Sequence, residues 1–174
     1  MAFARLFGHS SEKIAAAAVH RAAVEQARLV PFYAERGVPD TLDGRFEMII
    51  LHIFLVLHRL RGQAETQAFG TTLQDVLFAD MDRALREMGT GDLSVGKQVK
   101  RMAEGLAGRI RAYHDGLAGT GTLEEALRRN LYGTVEPNNA DLEFMAAYMK
   151  RQADCLAGQD AAAITGGTVV FEAL

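Results

Sequence analysis

The sequence predicts an all-α fold, a single-domain bundle of six or seven helices around one central buried helix at about residues 42–61. Three observations carry that expectation. The chain has only three prolines in 174 residues and is rich in Ala, Leu, Arg, Glu and Met, residues with high helix propensity. Its apolar residues recur at helical spacing along most of its length. Residues 42–61 are apolar on two faces rather than one, a pattern that fits burial on two sides. With 49% hydrophobic and 24% charged residues, the composition is that of an ordinary globular domain. A chain of this size buries on the order of 70% of its unfolded surface and needs no disulfides.

Taken in order, Ser11 to about Leu29 is an Ala-rich helix with Ile14, Val19 and Val24. Pro31 opens a short second helix, which Gly37 and Pro39 stop. Thr41 is placed as the N-cap of the central helix. There Leu42, Phe46, Ile49, Ile50, Ile53, Leu57 and Leu60 make one broad apolar face, and Met48, Leu51 and Leu55 make a second. The second face is either core or a surface kept for an apolar partner. Arg45, His52 and Arg59, spaced by seven, form a cationic ridge expected to meet acidic neighbours. The next helix, about Thr66 to Met88, has Leu73, Leu77, Met81, Leu85 and Met88 inward and Gly89 at its C′ position. Asp82 and Arg86 pair at i, i+4 on the solvated side, while Asp80 sits at the edge of the core stripe and is expected to meet a cation from another helix, with the ridge as a candidate. Ser94 is the expected N-cap of a helix to about His114, with Val95, Val99, Met102, Leu106, Ile110 and Tyr113 as its stripe. Thr122 and Glu125 form a capping box for a helix to Tyr132. Pro137-Asn138-Asn139 introduces the last helix, to about Leu156. Three units follow: an N-terminal helical extension (1–30), a helical domain (31–157) and a flexible tail (158–174) that either stays free or docks as a short extended piece.

Charge and length exclude several classes. The net charge is −3, the wrong field for a general nucleic-acid binder, whose affinity rests on phosphate neutralisation. The longest apolar run, Met48 to Leu57, is interrupted by His52 and is far short of the roughly 20 residues of a membrane span. At the N-terminus, MAFARLFGHSS has the composition of either a targeting or surface-seeking end or a frayed start. The lone Cys155 is expected to be a buried small hydrophobe.

Motifs that suggest chemistry fall short of it. Gly91 to Lys97 has GxxxxGK spacing, but Gln98 stands where a P-loop needs Ser or Thr, and an amphipathic helix precedes it rather than a strand. Gly91 and Gly96 are better explained by a turn and a close-packing point. A di-metal bundle site needs Glu-x-x-His, which is absent from the sequence. No nucleophile elbow occurs, and Cys155 has no histidine partner in sequence reach. Neither a catalytic set, a metal nor a cofactor is expected.

Two blocks, TLDGRFEMIILHIFLVLHRLRG (41–62) and LQDVLFADMDRALREMGTGDLSVGKQVKRMAEGLAGRIRAY (73–113), closely resemble the ubiquinol–cytochrome c chaperone family, assembly factors for the cytochrome bc complex. FADMDRALREMG and GDLSVGKQVKRM are the most diagnostic pieces, and the resemblance covers about residues 30–155. It implies a non-enzymatic helical chaperone that binds newly made cytochrome b. Eukaryotic relatives are mitochondrial and associate with the ribosome exit region and a small partner protein. This chain looks like the bacterial form, expected in the cytoplasm and peripheral at the inner membrane, with the ribosome or membrane surface as a further contact and no sequence-specific nucleic acid. The partner surface is expected to draw on Arg59, Arg61, Asp80, Asp82, Arg83, Arg86, Glu87, Asp92 and Lys97 around the Gly89 to Lys97 turn, with Met48, Leu51 and Leu55 as its apolar part. The alternative is a carrier of a quinone, fatty acid or haem in an enclosed cavity lined by Phe46, Ile50, Phe54 and Leu77.

Overall fold

The computed structural model describes residues 2–89 and 91–174, with side chains throughout except at 2–10, 92, 93 and 98. Eight α-helices follow in order: α1 (Ala2–Ala27), α2 (Val30–Ala34), α3 (Leu42–Leu60), α4 (Gln67–Glu87), α5 (Asp92–Leu117), α6 (Leu123–Asn130), α7 (Asn139–Ala157) and α8 (Ala161–Thr165). A single 3-10 turn, Ala64–Thr66, leads into α4. Among the described residues there is no strand, and no helix is long and apolar enough to cross a membrane.

α3 is the axis of the bundle. Thr41 caps it, its hydroxyl accepting from the Gly44 amide. Gly44 is required there, because a Cβ at that position would overlap the Pro39 carbonyl oxygen. From Phe46 to Val56 every residue is buried, and α1, α4, α5 and α7 all pack against the helix. Both apolar faces are therefore core, except at Leu42, which is 37% exposed at the helix start, and half-buried Leu57. Met48, Leu51 and Leu55 are each 0% exposed, which corrects their assignment to a partner surface.

Helix ends follow local chemistry with small corrections. Gly89 adopts φ 81°, the left-handed C′ geometry that ends α4. α5 begins at Asp92 with Gly91 as N-cap, three residues before the Ser94 cap expected from sequence. A Cβ at Gly91 or Gly96 would meet nothing within 4 Å, so Gly96 is not a close-packing point. Thr122 and Asn138 cap α6 and α7 through the amides of Glu125 and Asp141. The side-chain expectations for the N-terminal MAFARLFGHSS end lie largely outside the described residues.

The tail is not free. After α8, residues 168–172 form no helix and lie against α1, α3 and α7. The Gln159 side chain donates to the Val170 carbonyl at 2.7 Å and accepts from its amide at 3.0 Å. The Gln152 side chain holds Glu172 in the same way, at 2.7 and 2.9 Å. Between them Phe171 packs edge-on to the His52 ring, 5.2 Å between centroids. Cys155 is only half-buried beside this strap, its Sγ 3.8 Å from the Val170 carbonyl, a correction to its expected full burial.

Candidate functional site

The charges predicted to bind a partner do not form one patch. Asp80, Asp82, Arg83, Arg86 and Glu87 lie on the C-terminal half of α4, where charges are paired within the helix. Arg86 meets Asp82 at 2.6 Å, and Arg83 meets both Asp80 and Glu87. Arg83 and Glu87 are the most open, with side chains 70% and 72% exposed. Met88 follows at 52%, exposed rather than inward as its place in the stripe suggested. Lys97 is exposed on the first turns of α5, and the Asp92 side chain lies outside the described residues.

Asp80 does meet a group from another helix, but not from the ridge. His20 of α1 stands 3.8 Å away. Burial pushes the His20 pKa down while Asp80 pulls it up, and the Nε2 atom of His20 has no hydrogen-bond partner. The ridge itself is dispersed. Arg45 pairs with Asp40 in solvent at 2.7 Å. Arg59 donates to the carbonyls of Leu156 and Gln159, closing the C-terminus of α7 as a cation does at a helix end.

His52 is fully enclosed. Its Nδ1 lies 2.7 Å from the Met48 carbonyl, so that nitrogen carries the proton, and its Nε2 accepts from the Tyr148 hydroxyl at 2.7 Å. Gln26 donates in turn to the Tyr148 oxygen at 3.0 Å. Burial drives the His52 pKa down to about 4 and the Tyr148 hydroxyl's pKa well up. This is a satisfied polar relay inside the core, and its role is structural. A buried carboxylate, Glu47 on α3, is held bidentately by Arg109 of α5, with Nε 2.8 Å from one carboxylate oxygen.

An open concavity lies at the other end of α3. A cleft of about 850 Å³ opens between the C-terminus of α3, the start of α4 and the second half of α5. Phe54, Leu57 and Ile110 form its floor; His58, Arg61, Arg111 and His114 stand around it. Arg61 donates to His114 Nε2, and the other ring nitrogen of His114 lies 3.4 Å from Asp115. His58 stacks between Phe54 and His114 at 5.5 Å from each. Its Nδ1 is buried without a partner, and burial, then His114 and Arg61, lower its pKa. Of the charges named for partner binding, only Arg61 reaches this cleft. The four residues proposed to line an enclosed carrier cavity are not joined by one: Phe54 lines this cleft, Phe46 and Ile50 line a separate concavity of about 450 Å³, and Leu77 lines neither.

What the fold defines is an all-helical binding scaffold, with a buried axis and its open chemistry at the α4–α5 corner and in the cleft. The chain belongs to the ubiquinol–cytochrome c chaperone family, whose model matches residues 34–171. It is 34% identical to the Cbp3 homologue from Brucella abortus, with a TM-score of 0.82 over 98% of this chain and 97% of that one. It is 25% identical over 167 residues to the ubiquinol–cytochrome c reductase complex assembly factor 1 of Xenopus laevis, covering 93% of this chain and 82% of the relative. The proteins of that name in mouse and human are each 24% identical over 153 residues, 85% of this chain. The chain spans about half the length of those two, 52% and 51%.

Proposed function

We propose that this protein is a non-catalytic assembly chaperone for the cytochrome bc complex, and that its client is newly made cytochrome b. The observation that supports this most is the family match over residues 34–171, together with a fold shared along 98% of the chain with the Cbp3 homologue. Action at the cytoplasmic face of the inner membrane in a bacterium, with the ribosome or membrane surface as a further contact, belongs to the same reading.

The client surface in this proposal is the α4–α5 corner. Its ion pairs are exposed and local, each worth about 0.2–1 kcal/mol, so a partner can replace them at little cost. Exposed Met88 adds an adaptable apolar contact. A photocrosslinking residue at Arg83 or Met88 should capture cytochrome b in membranes of the host, while the same residue at exposed Ile14 on α1 should not. Equal capture at all three positions, or none at the corner, would remove the corner as the client surface. Arg83→Glu or Glu87→Lys should lower cytochrome b accumulation with thermal stability within about 0.5 kcal/mol of the parent.

A further inference from the structure

We propose that the cleft beneath His58 and Arg61 binds a single-chain anionic amphiphile, an acyl chain ending in a carboxylate or phosphate head. The inference stands apart from the assembly role and from the α4–α5 corner. Gly70 at the cleft and Arg83 at the corner are thirteen residues apart on one helix, about 20 Å along its axis.

Three observations converge. The cleft, at about 850 Å³, falls in the range of small-molecule sites, and its floor of Phe54, Leu57 and Ile110 suits a hydrocarbon chain. Its charge is unbalanced. Arg61 has no carboxylate partner among the described residues and spends its hydrogen bond on the His114 imidazole, while the one acid among the lining residues, Asp115, already serves Arg111 at 3.8 Å and His114 at 3.4 Å. The wall also holds an orphan, the buried Nδ1 of His58, a polar atom that native proteins seldom leave without a partner. An anionic head set against Arg61 supplies the missing counter-charge through charge-assisted hydrogen bonds. It also offers an acceptor to the Nδ1 of His58, which can carry the proton of the neutral ring. Burial lowers the His58 pKa most, and Arg61 adds to that as a positive neighbour.

The test is calorimetric titration of the full chain, below the critical micelle concentration, with oleate, oleyl lysophosphatidate, oleyl alcohol and inorganic phosphate. Oleate or the lysophosphatidate should bind at least about tenfold more tightly than oleyl alcohol, which has the same chain and no charge. Oleate binding alone identifies a free fatty acid as the natural source, and lysophosphatidate alone a lipid phosphate. Arg61→Gln should weaken the binding by about tenfold or more, and Arg83→Gln, at the corner, by less than about twofold. Arg61 is exposed, so its variant should fold, which circular dichroism checks. Equal affinity for oleate and oleyl alcohol, binding unchanged in Arg61→Gln, or no binding of either charged amphiphile would overturn the proposal. Binding of inorganic phosphate as tight as that of the lysophosphatidate would overturn the role of the apolar floor.

Discussion

Two histidines of α3, His52 and His58, sit in opposite surroundings. At His52 both ring nitrogens are engaged, by Met48 and Tyr148, and Phe171 of the C-terminal strap closes over the ring. At His58, not quite two turns further on, one nitrogen is buried with no partner and the ring lines an open cleft. Burial lowers both pKa values, so titration alone does not distinguish them. Hydrogen-bond completeness does: a satisfied relay stabilises one arrangement, whereas an unsatisfied one costs stability and is retained where something else uses it.

That contrast breaks first at its closed end. His52→Ala leaves a cavity and strands the Tyr148 hydroxyl, and should cost about 3–4 kcal/mol, read by denaturant unfolding; a loss below 1 kcal/mol would mean that the relay is not structural. Acid should act on the same group. The unfolded chain titrates His52 near 6.5 and the folded one near 4, so between those values the unfolded state binds the extra proton. Stability is then fully present above about pH 6.5 and falls as the pH drops to about 4, by about 3 kcal/mol. His20 and His58, also shifted down, act in the same direction, and His52→Gln should remove most of the slope; an unchanged slope would place the titration elsewhere.

Loosening the strap is the next step down. Phe171→Ala should cost about 2 kcal/mol and speed amide exchange in residues 168–172, and stability equal to the parent would show that the strap adds nothing to the core. The smallest effect is the most diagnostic. His58→Leu removes an orphan polar atom from an apolar wall, so stability should stay within about 0.5 kcal/mol of the parent or rise. A loss as large as that of His52→Ala would erase the difference between the two ends.

Much of the architecture was legible because helices announce themselves locally. Thr41, Thr122 and Asn138 are caps by their own chemistry, and Gly89 is a stop by its backbone freedom. The double apolar face of residues 42–61 correctly marked the central helix. It misled over Met48, Leu51 and Leu55, because periodicity shows that a face is apolar without showing what covers it. The spacing of Arg45, His52 and Arg59 suggested one ridge, yet tertiary contacts gave each a separate task. The docking of the tail depends on Gln152 and Gln159 meeting backbone atoms of Val170 and Glu172, and side-chain to backbone pairing across a loop leaves no periodic trace. The same holds for the bond between Glu47 and Arg109, sixty-two residues apart, and for the cleft, where His58 and His114 meet only through the packing of α3 on α5. The one local signal for the cleft was His58 three residues before Arg61 in LHRLRG, one helical turn apart.

The assembly role is put to the test by deleting the gene in its host and recording reduced-minus-oxidised spectra of the membranes, with plasmid rescue. Selective loss of the haem-bearing cytochrome b signal is expected, other cytochromes intact, restored by the wild-type gene. An unchanged cytochrome b signal in the deletion strain would contradict it.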